Sequence, residues 1–251
     1  MRTSRRIYDR VAIRREADGF RILLGGKPLR TPAGAPLALA TAALAAAVAN
    51  EWLAQGETLR PETMPLTRLA ATAIDRVAAA RGAVVDAVVS YAGSDMLCYR
   101  AAAPDELMRL QYLTWQPLVE WAAEGMGAQM AVVAGILPVA QPDEAVAALR
   151  RAVEACDDLE LTALATLAQA AGSLITGLAV LHKRIDAETA CAVALLDECW
   201  QASRWGSDAE AEGRWAEIRA DIRAASLFLA LSAEPASIAT SGAARAAGQR
   251  S

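Results

Sequence analysis

Acidic and aromatic side chains crowd one stretch of this chain, Leu195 to Trp215, which reads LLDECWQASRWGSDAEAEGRW. Asp197, Glu198, Asp208, Glu210 and Glu212 fall at one end of a helical pair that also carries Trp200, Trp205 and Trp215. Paired carboxylates can move protons, but that work needs an apolar pocket to keep one member protonated. An exposed corner supplies none. Two readings remain. The acids form a solvated face over a tryptophan-filled core, or the aromatics beside charge form a docking surface for another protein.

Other catalytic constellations are missing from the sequence. The chain holds one histidine, His182, in the run LHKR at a helix end, where it complements the helix dipole or is simply exposed. One histidine excludes a three-histidine zinc site within the chain, and no GxSxG supplies a nucleophile. The segment GGKP at Gly25 to Pro28 lacks the GxxxxGK(S/T) spacing of a phosphate loop and reads as a hairpin turn. Cys98, Cys156, Cys191 and Cys199 show no CxxC spacing and read as reduced, mostly buried thiols of a cytoplasmic protein. Binding is left as the activity. The expectation is no enzyme, no metal, no cofactor and no ATP hydrolysis.

The elements that must position the acidic stretch are two amphipathic helices meeting at a sharp corner. Gly206 suits the left-handed position past a helix end. Ser207 then caps the next helix, with Glu210 completing a capping box. On this reading Asp197 and Glu198 lie in the last two turns of a helix running from about Ala187 to Arg204, and Asp208 and Glu210 in the first turn of the next. Negative charge is unfavourable near a helix C-terminus, so Asp197 and Glu198 need another reason to be there. Asp197, Glu198, Gln201, Trp205, Asp208 and Glu210 are the expected partner-binding residues.

The rest of the chain divides by period. Residues 8–40 alternate at period two, with Val11, Ile13, Phe20, Ile22 and Leu24 on one face, Leu37 and Leu39 in a last short strand, and turns at Asp18-Gly19, Gly25-Gly26 and Pro32 to Gly34. From Thr41, an N-cap, the period becomes helical, with Leu44, Val48 and Trp52 on one face. Further helices are expected near Leu66–Ala80, Ala83–Ala92, from Pro104 to Gly125, Asp143–Cys156, Leu159–Ala170, Ser173–Lys183 and Asp208–Leu231. In the helix after Pro104 the stripe is Leu107, Leu110, Thr114, Leu118 and Trp121, with a kink at Pro117. Trp52, Trp115 and Trp121 are expected to be structural. Ala128 to Pro142, interrupted by Gly135 and Pro138, reads as a buried connector. The fold class is α+β: a small N-terminal antiparallel β domain over residues 1–40, a larger all-helical domain over 41–232, and a disordered tail over 233–251.

The charge-free window Leu161 to Leu181 has the length of a membrane span, yet its Thr, Gln, Ser and Gly residues favour two buried helices broken near Gly172. Residues 1–30 carry nine Arg/Lys against three Asp/Glu in a chain whose net charge is −4. That basic start invites a nucleic-acid hypothesis, but Arg14, Arg15 and Arg21 interleave with a strand pattern and lack stacking aromatics, so an exposed strand face is expected.

Four segments together carry a resemblance: Glu51-Trp52 with Gln55; GSDMLCYR from Gly93 to Arg100; QYLTWQPLVEWAAEGMG from Gln111 to Gly127, continuing to GILPVAQP; and LLDECWQASRWGSDAEAEGR. The chain resembles the assembly chaperones of the F-type ATP synthase that attend the α subunit, in a bacterial form, over nearly all of residues 7–232. The resemblance implies a monomeric, cofactor-free chaperone. It would bind the free α subunit and shield the surface destined for the β subunit, without contacting nucleic acid or membrane. The alternatives are a small-molecule enzyme, which needs a pocket with convergent polar groups, and a nucleic-acid binder acting through the basic N-terminal segment.

Overall fold

The computed structural model describes residues 5–135, 137 and 139–233. The tail expected over 233–251 therefore lies outside the described residues from position 234 on, as does Pro138 of the connector.

Alternation builds the first layer. β1 (Val11–Glu16) pairs antiparallel with β2 (Gly19–Leu24), Ile13 opposite Ile22. The far edge of β2 is shared by two short strands, β3 (Lys27–Pro28) and β4 (Ala38–Leu39). Ile22, Leu37 and Leu39 are fully buried, whereas Ile13, on an edge strand, is 42% exposed. Arg14 and Arg15 face solvent as expected. Arg21 does not: its side chain is only 11% exposed, held by Glu16 at 3.2 Å and Asp18 at 2.5 Å. Its charge is answered within the hairpin.

The sheet closes on α1 (Ala42–Leu53), where Thr41 Oγ1 accepts from the Leu44 amide at 3.1 Å and its hydroxyl donates to the Leu231 carbonyl at 2.5 Å. The Glu51 carboxylate accepts from the amides of Leu66 (2.7 Å) and Thr67 (2.8 Å), capping α2 (Pro65–Thr72) from a neighbouring element. A π-turn over Ala73–Val77 leads toward α3 (Arg81–Ser90). Then come β5 (Tyr99–Arg100), α4 (Asp105–Met126), β6 (Val133–Ala134) and α5 (Asp143–Glu154). The last described elements are α6 (Asp158–Ala171), α7 (Leu174–Leu181), α8 (Ala187–Ala194), α9 (Leu196–Trp205) and α10 (Ala209–Ser232).

The central helix is α6. Leu161 and Leu164 on it join a core with α3, α4, α5 and α7 around Trp115, while Ala163, Leu167 and Ala171 join another with the sheet, α1, α2, α8 and α10 around Phe228. Burial on both sides explains the charge-free window: it is α6 and α7, broken at Gly172 with φ 62°. At Gly177 a Cβ would stand 2.9 Å from Leu164 Cδ1, so glycine permits the close approach of α7 to α6. Among the described residues no helix is long and apolar enough to cross a membrane.

Three sequence expectations fail here. The connector after Ala128 is not buried. Val132 is 39% and Leu137 81% exposed, and β6 instead pairs in parallel with β5, a short pairing that local sequence does not announce. The buried stripe of α4 is Leu107, Gln111, Trp115, Leu118, Val119 and Ala122; Leu110 lies outside it. The helix expected from Ala187 to Arg204 is two, separated at Leu195 (φ −109°, ψ 19°). Leu195 and Leu196 are both buried, so the break turns two consecutive leucines into the core.

Candidate functional site

That break reverses the electrostatics of the acidic stretch. Asp197 and Glu198 occupy the first turn of α9, where the helix dipole favours negative charge, not the last turns of a longer helix. Asp197 is half-buried and its carboxylate accepts from Gln111 Nε2 at 2.8 Å. Gln111, itself buried, accepts from the Ala101 amide at 2.8 Å. Arg100 lies 5.3 Å over the Trp115 ring and donates to the Gln111 carbonyl at 2.9 Å, while Trp115 Nε1 donates to the Val193 carbonyl at 3.1 Å. Burial lowers the pKa of Arg100 from its ordinary value. Asp197 therefore belongs to a packed polar node joining β5, α4 and α9.

Below this node sits Asp95, fully buried, accepting from the Leu97 amide at 3.1 Å and from the Ile175 amide at 3.0 Å near the start of α7. Burial pushes its carboxyl up to about 6, against the opposing pull of these donors. Burial likewise pushes the Cys98 thiol up to about 12 and Cys156 to about 11, which keeps both protonated. The four cysteines are free; Cys98, Cys156 and Cys191 are buried and Cys199 is exposed.

At the corner, Gly206 has φ 82° and ψ 173°. The positive φ favours glycine, but the extended ψ is not the left-handed helical cap expected. The cap of α10 is Asp208, accepting from the Ala211 amide at 2.7 Å, not Ser207. Ser207 Oγ instead donates to Glu212 Oε1 at 2.6 Å, and Glu210 pairs with Arg214 at 2.9 Å, so the expected capping box is absent. The ten residues of α9 rise about 15 Å, so the corner does not bring Asp197 and Glu198 against Asp208 and Glu210. Glu198, Gln201 and Trp205 instead follow one another at helical spacing on an exposed side of α9. Glu198 takes part in no ion pair among the described residues.

Trp205 is 74% exposed, edge-on to Trp200 at 5.7 Å and 83°. Arg204 lies 5.4 Å over Trp200 and forms an ion pair with Glu106 at the start of α4. The tryptophans of this stretch therefore do not all fill a core: Trp200 and Trp215 are half-buried and Trp205 projects outward. Beside them α4 exposes Met108, Leu110, Tyr112 and Leu113. The sequence reading missed these four because it took the stripe through Leu110. The signal was Trp115, which stands at i+8 from Leu107 and i+4 from Gln111, and so marks the stripe that is buried.

An apolar cleft of about 580 Å³ opens between the sheet and α1–α2, floored by Leu37, Trp52 and Met64 and bordered by Arg30, Arg60 and Arg68. Glu62, the one carboxylate lining it, is ion-paired to Arg60 at 3.0 Å. The cleft thus presents no acid–base pair. Among the described residues no group of three His, Cys, Asp or Glu is placed to hold a metal.

A family profile, the ATP12 chaperone protein, matches residues 5–123. The crystal structure of Atp12 from Paracoccus denitrificans superposes with a TM-score of 0.86 at 44% identity, covering 92% of this chain and 99% of that one. The chain belongs to the ATP12 chaperone family. An aspartate-to-lysine mutant of the Paracoccus Atp12 matches equally well, with a TM-score of 0.86, 44% identity, and 92% and 98% coverage. A candidate chaperone from Agrobacterium tumefaciens matches with a TM-score of 0.84 at 39% identity, over 92% of this chain and 86% of that one. The family read from the four segments is borne out, and the structure gives residues of those segments physical roles. Glu51 caps α2, Asp95 ties the turn before β5 to the start of α7, and Gln111 with Asp197 locks α4 to α9.

Proposed function

We propose that this ATP12-family chaperone binds the free α subunit of the F-type ATP synthase and covers the surface that later meets the β subunit. One observation carries the reading: a large aromatic, Trp205, stands 74% exposed at an acid-rich corner. A solvated charged face has no need of an exposed tryptophan, whereas an interface uses one as an anchor. A subunit awaiting its partner exposes apolar surface that would aggregate, and a cover mixing charge with aromatics can be displaced by the proper neighbour. Glu198, Gln201, Trp205, Asp208 and Glu210 are the contact residues in this reading; Asp197 supports them by anchoring α9. The work requires no nucleotide hydrolysis and no cofactor, and it is carried out by a monomer in the compartment where α subunits await assembly, the cytoplasm.

Purified chaperone and unassembled α subunit should form a complex, and Trp205→Ala should weaken it by on the order of tenfold or more. Glu198→Lys should slow association in a salt-dependent way and cost about 0.3–1 kcal/mol of stability, because it removes a favourable charge from a helix start. Full-strength binding by a stable Trp205→Ala variant would return the corner to the status of a solvated face.

A further inference from the structure

The corner continues onto α4. Among the described residues eleven large hydrophobic side chains are exposed, and four of them, Met108, Leu110, Tyr112 and Leu113, fall within six residues of that helix. Tyr112 is 60% and Leu113 61% exposed. Scattered apolar residues on a surface need no explanation, but several on one exposed helix beside an exposed tryptophan do. The Glu106–Arg204 ion pair joins the first turn of α4 to the last turn of α9, and the Gln111–Asp197 hydrogen bond joins α4 to the first turn of α9. The two helices therefore run antiparallel side by side. Leu110 and Leu113 follow Glu106 at i+4 and i+7, on the helix side that Arg204 meets, whereas Met108 and Tyr112, at i+2 and i+6, lie farther round the helix beyond Arg109. Trp205, next to Arg204, extends the same surface.

Charge borders this apolar strip. α4 carries four acids and one arginine, and Leu196 to Glu212 five acids and one arginine, in a chain whose total is only −4. A second copy would bring acid against acid. The chain's own residues 234–251, EPASIATSGAARAAGQRS, contain one large apolar residue, Ile238, and no aromatic, too little to cover Leu110, Leu113 and Trp205 together.

Building on the proposed client reading, we infer that the exposed Leu110 and Leu113 side of α4, with Trp205, is the apolar half of the docking surface. Its occupant is an α-subunit segment with apolar side chains flanked by lysine or arginine. The apolar strip holds the complex together and the acidic border guides encounter.

Binding of the unassembled α subunit should be followed kinetically for a Leu110→Ser/Leu113→Ser double variant, for the single Leu113→Ser, and for a control, Leu227→Ser. Leu227 is 49% exposed on α10, remote from α4. The double variant should keep its melting temperature and dissociate on the order of tenfold faster or more, with little salt dependence. The control should bind as wild type. If the double variant melts early, the single one carries the same comparison. Wild-type dissociation from the stable α4 variants would overturn the docking strip alone, leaving the client assignment in place. Failure of the unsubstituted chaperone to bind the α subunit would instead overturn the client assignment and this proposal with it. Self-association abolished by the double variant would assign the strip to a second copy and overturn the proposal too.

Discussion

Trp115 and Trp205 carry the same side chain to opposite fates. Around Trp115, at the junction of α4, α7 and α8, these buried polar groups are paired, though the Thr176 hydroxyl on α7 is not: the Trp115 indole with the Val193 carbonyl, Gln111 with Ala101 and Asp197, Asp95 with two backbone amides. Around Trp205 the pattern inverts. Large apolar groups meet water, and carboxylates outnumber their cationic partners. A region that pairs its polar groups and buries its apolar ones is complete. A region that does neither is incomplete until something covers it.

The two tryptophans give the largest test of that contrast. Trp115→Ala should destabilise the fold by roughly 3–5 kcal/mol in denaturant unfolding, from a cavity and an orphaned carbonyl. Trp205→Ala should change stability by about 0.5 kcal/mol or less. Similar losses at both positions would erase the distinction between the regions.

A smaller effect sharpens the account of the interior. Asp95 has its folded pKa raised by burial to about 6, above the unfolded value. Between those values the folded state binds the extra proton, so stability falls as pH rises through that window. The advantage of wild type over Asp95→Asn should be greatest near pH 4 and shrink by roughly 2–3 kcal/mol above pH 6. An advantage that grew with pH would mean the amide donors outweigh burial.

The smallest effect is chemical, not energetic. An aqueous thiol reagent should modify one cysteine of the native protein quickly, the exposed Cys199, and four after denaturation without reductant. Fast native reaction of Cys98 or Cys156 would show that the interior opens more readily than its packing implies.

The order of elements was legible wherever a local rule acts alone. The hairpin turns follow from Gly25-Gly26, the start of α1 from Thr41, and the α6–α7 break from Gly172 and Ser173. The acidic corner was legible as a cluster, but its geometry was not. Asp208 rather than Ser207 capping α10 shifts the helix start by one residue, a scale that competing side-chain acceptors decide.

By itself the sequence determined the α+β class, the four-motif family signature and the crowding of acids beside tryptophan, because periodicity, caps and composition are properties of neighbouring residues. The tertiary structure alone decided where those residues act. Burial of Leu195 and Leu196 in a distant core broke one helix into two and moved Asp197 and Glu198 to a helix start. Packing against α7 and α8 chose which of two overlapping stripes of α4 faces inward, and so left Leu110, Tyr112 and Leu113 outside. Neither outcome could be local, since an amphipathic helix specifies that one side is buried while only its partners fix which side that is.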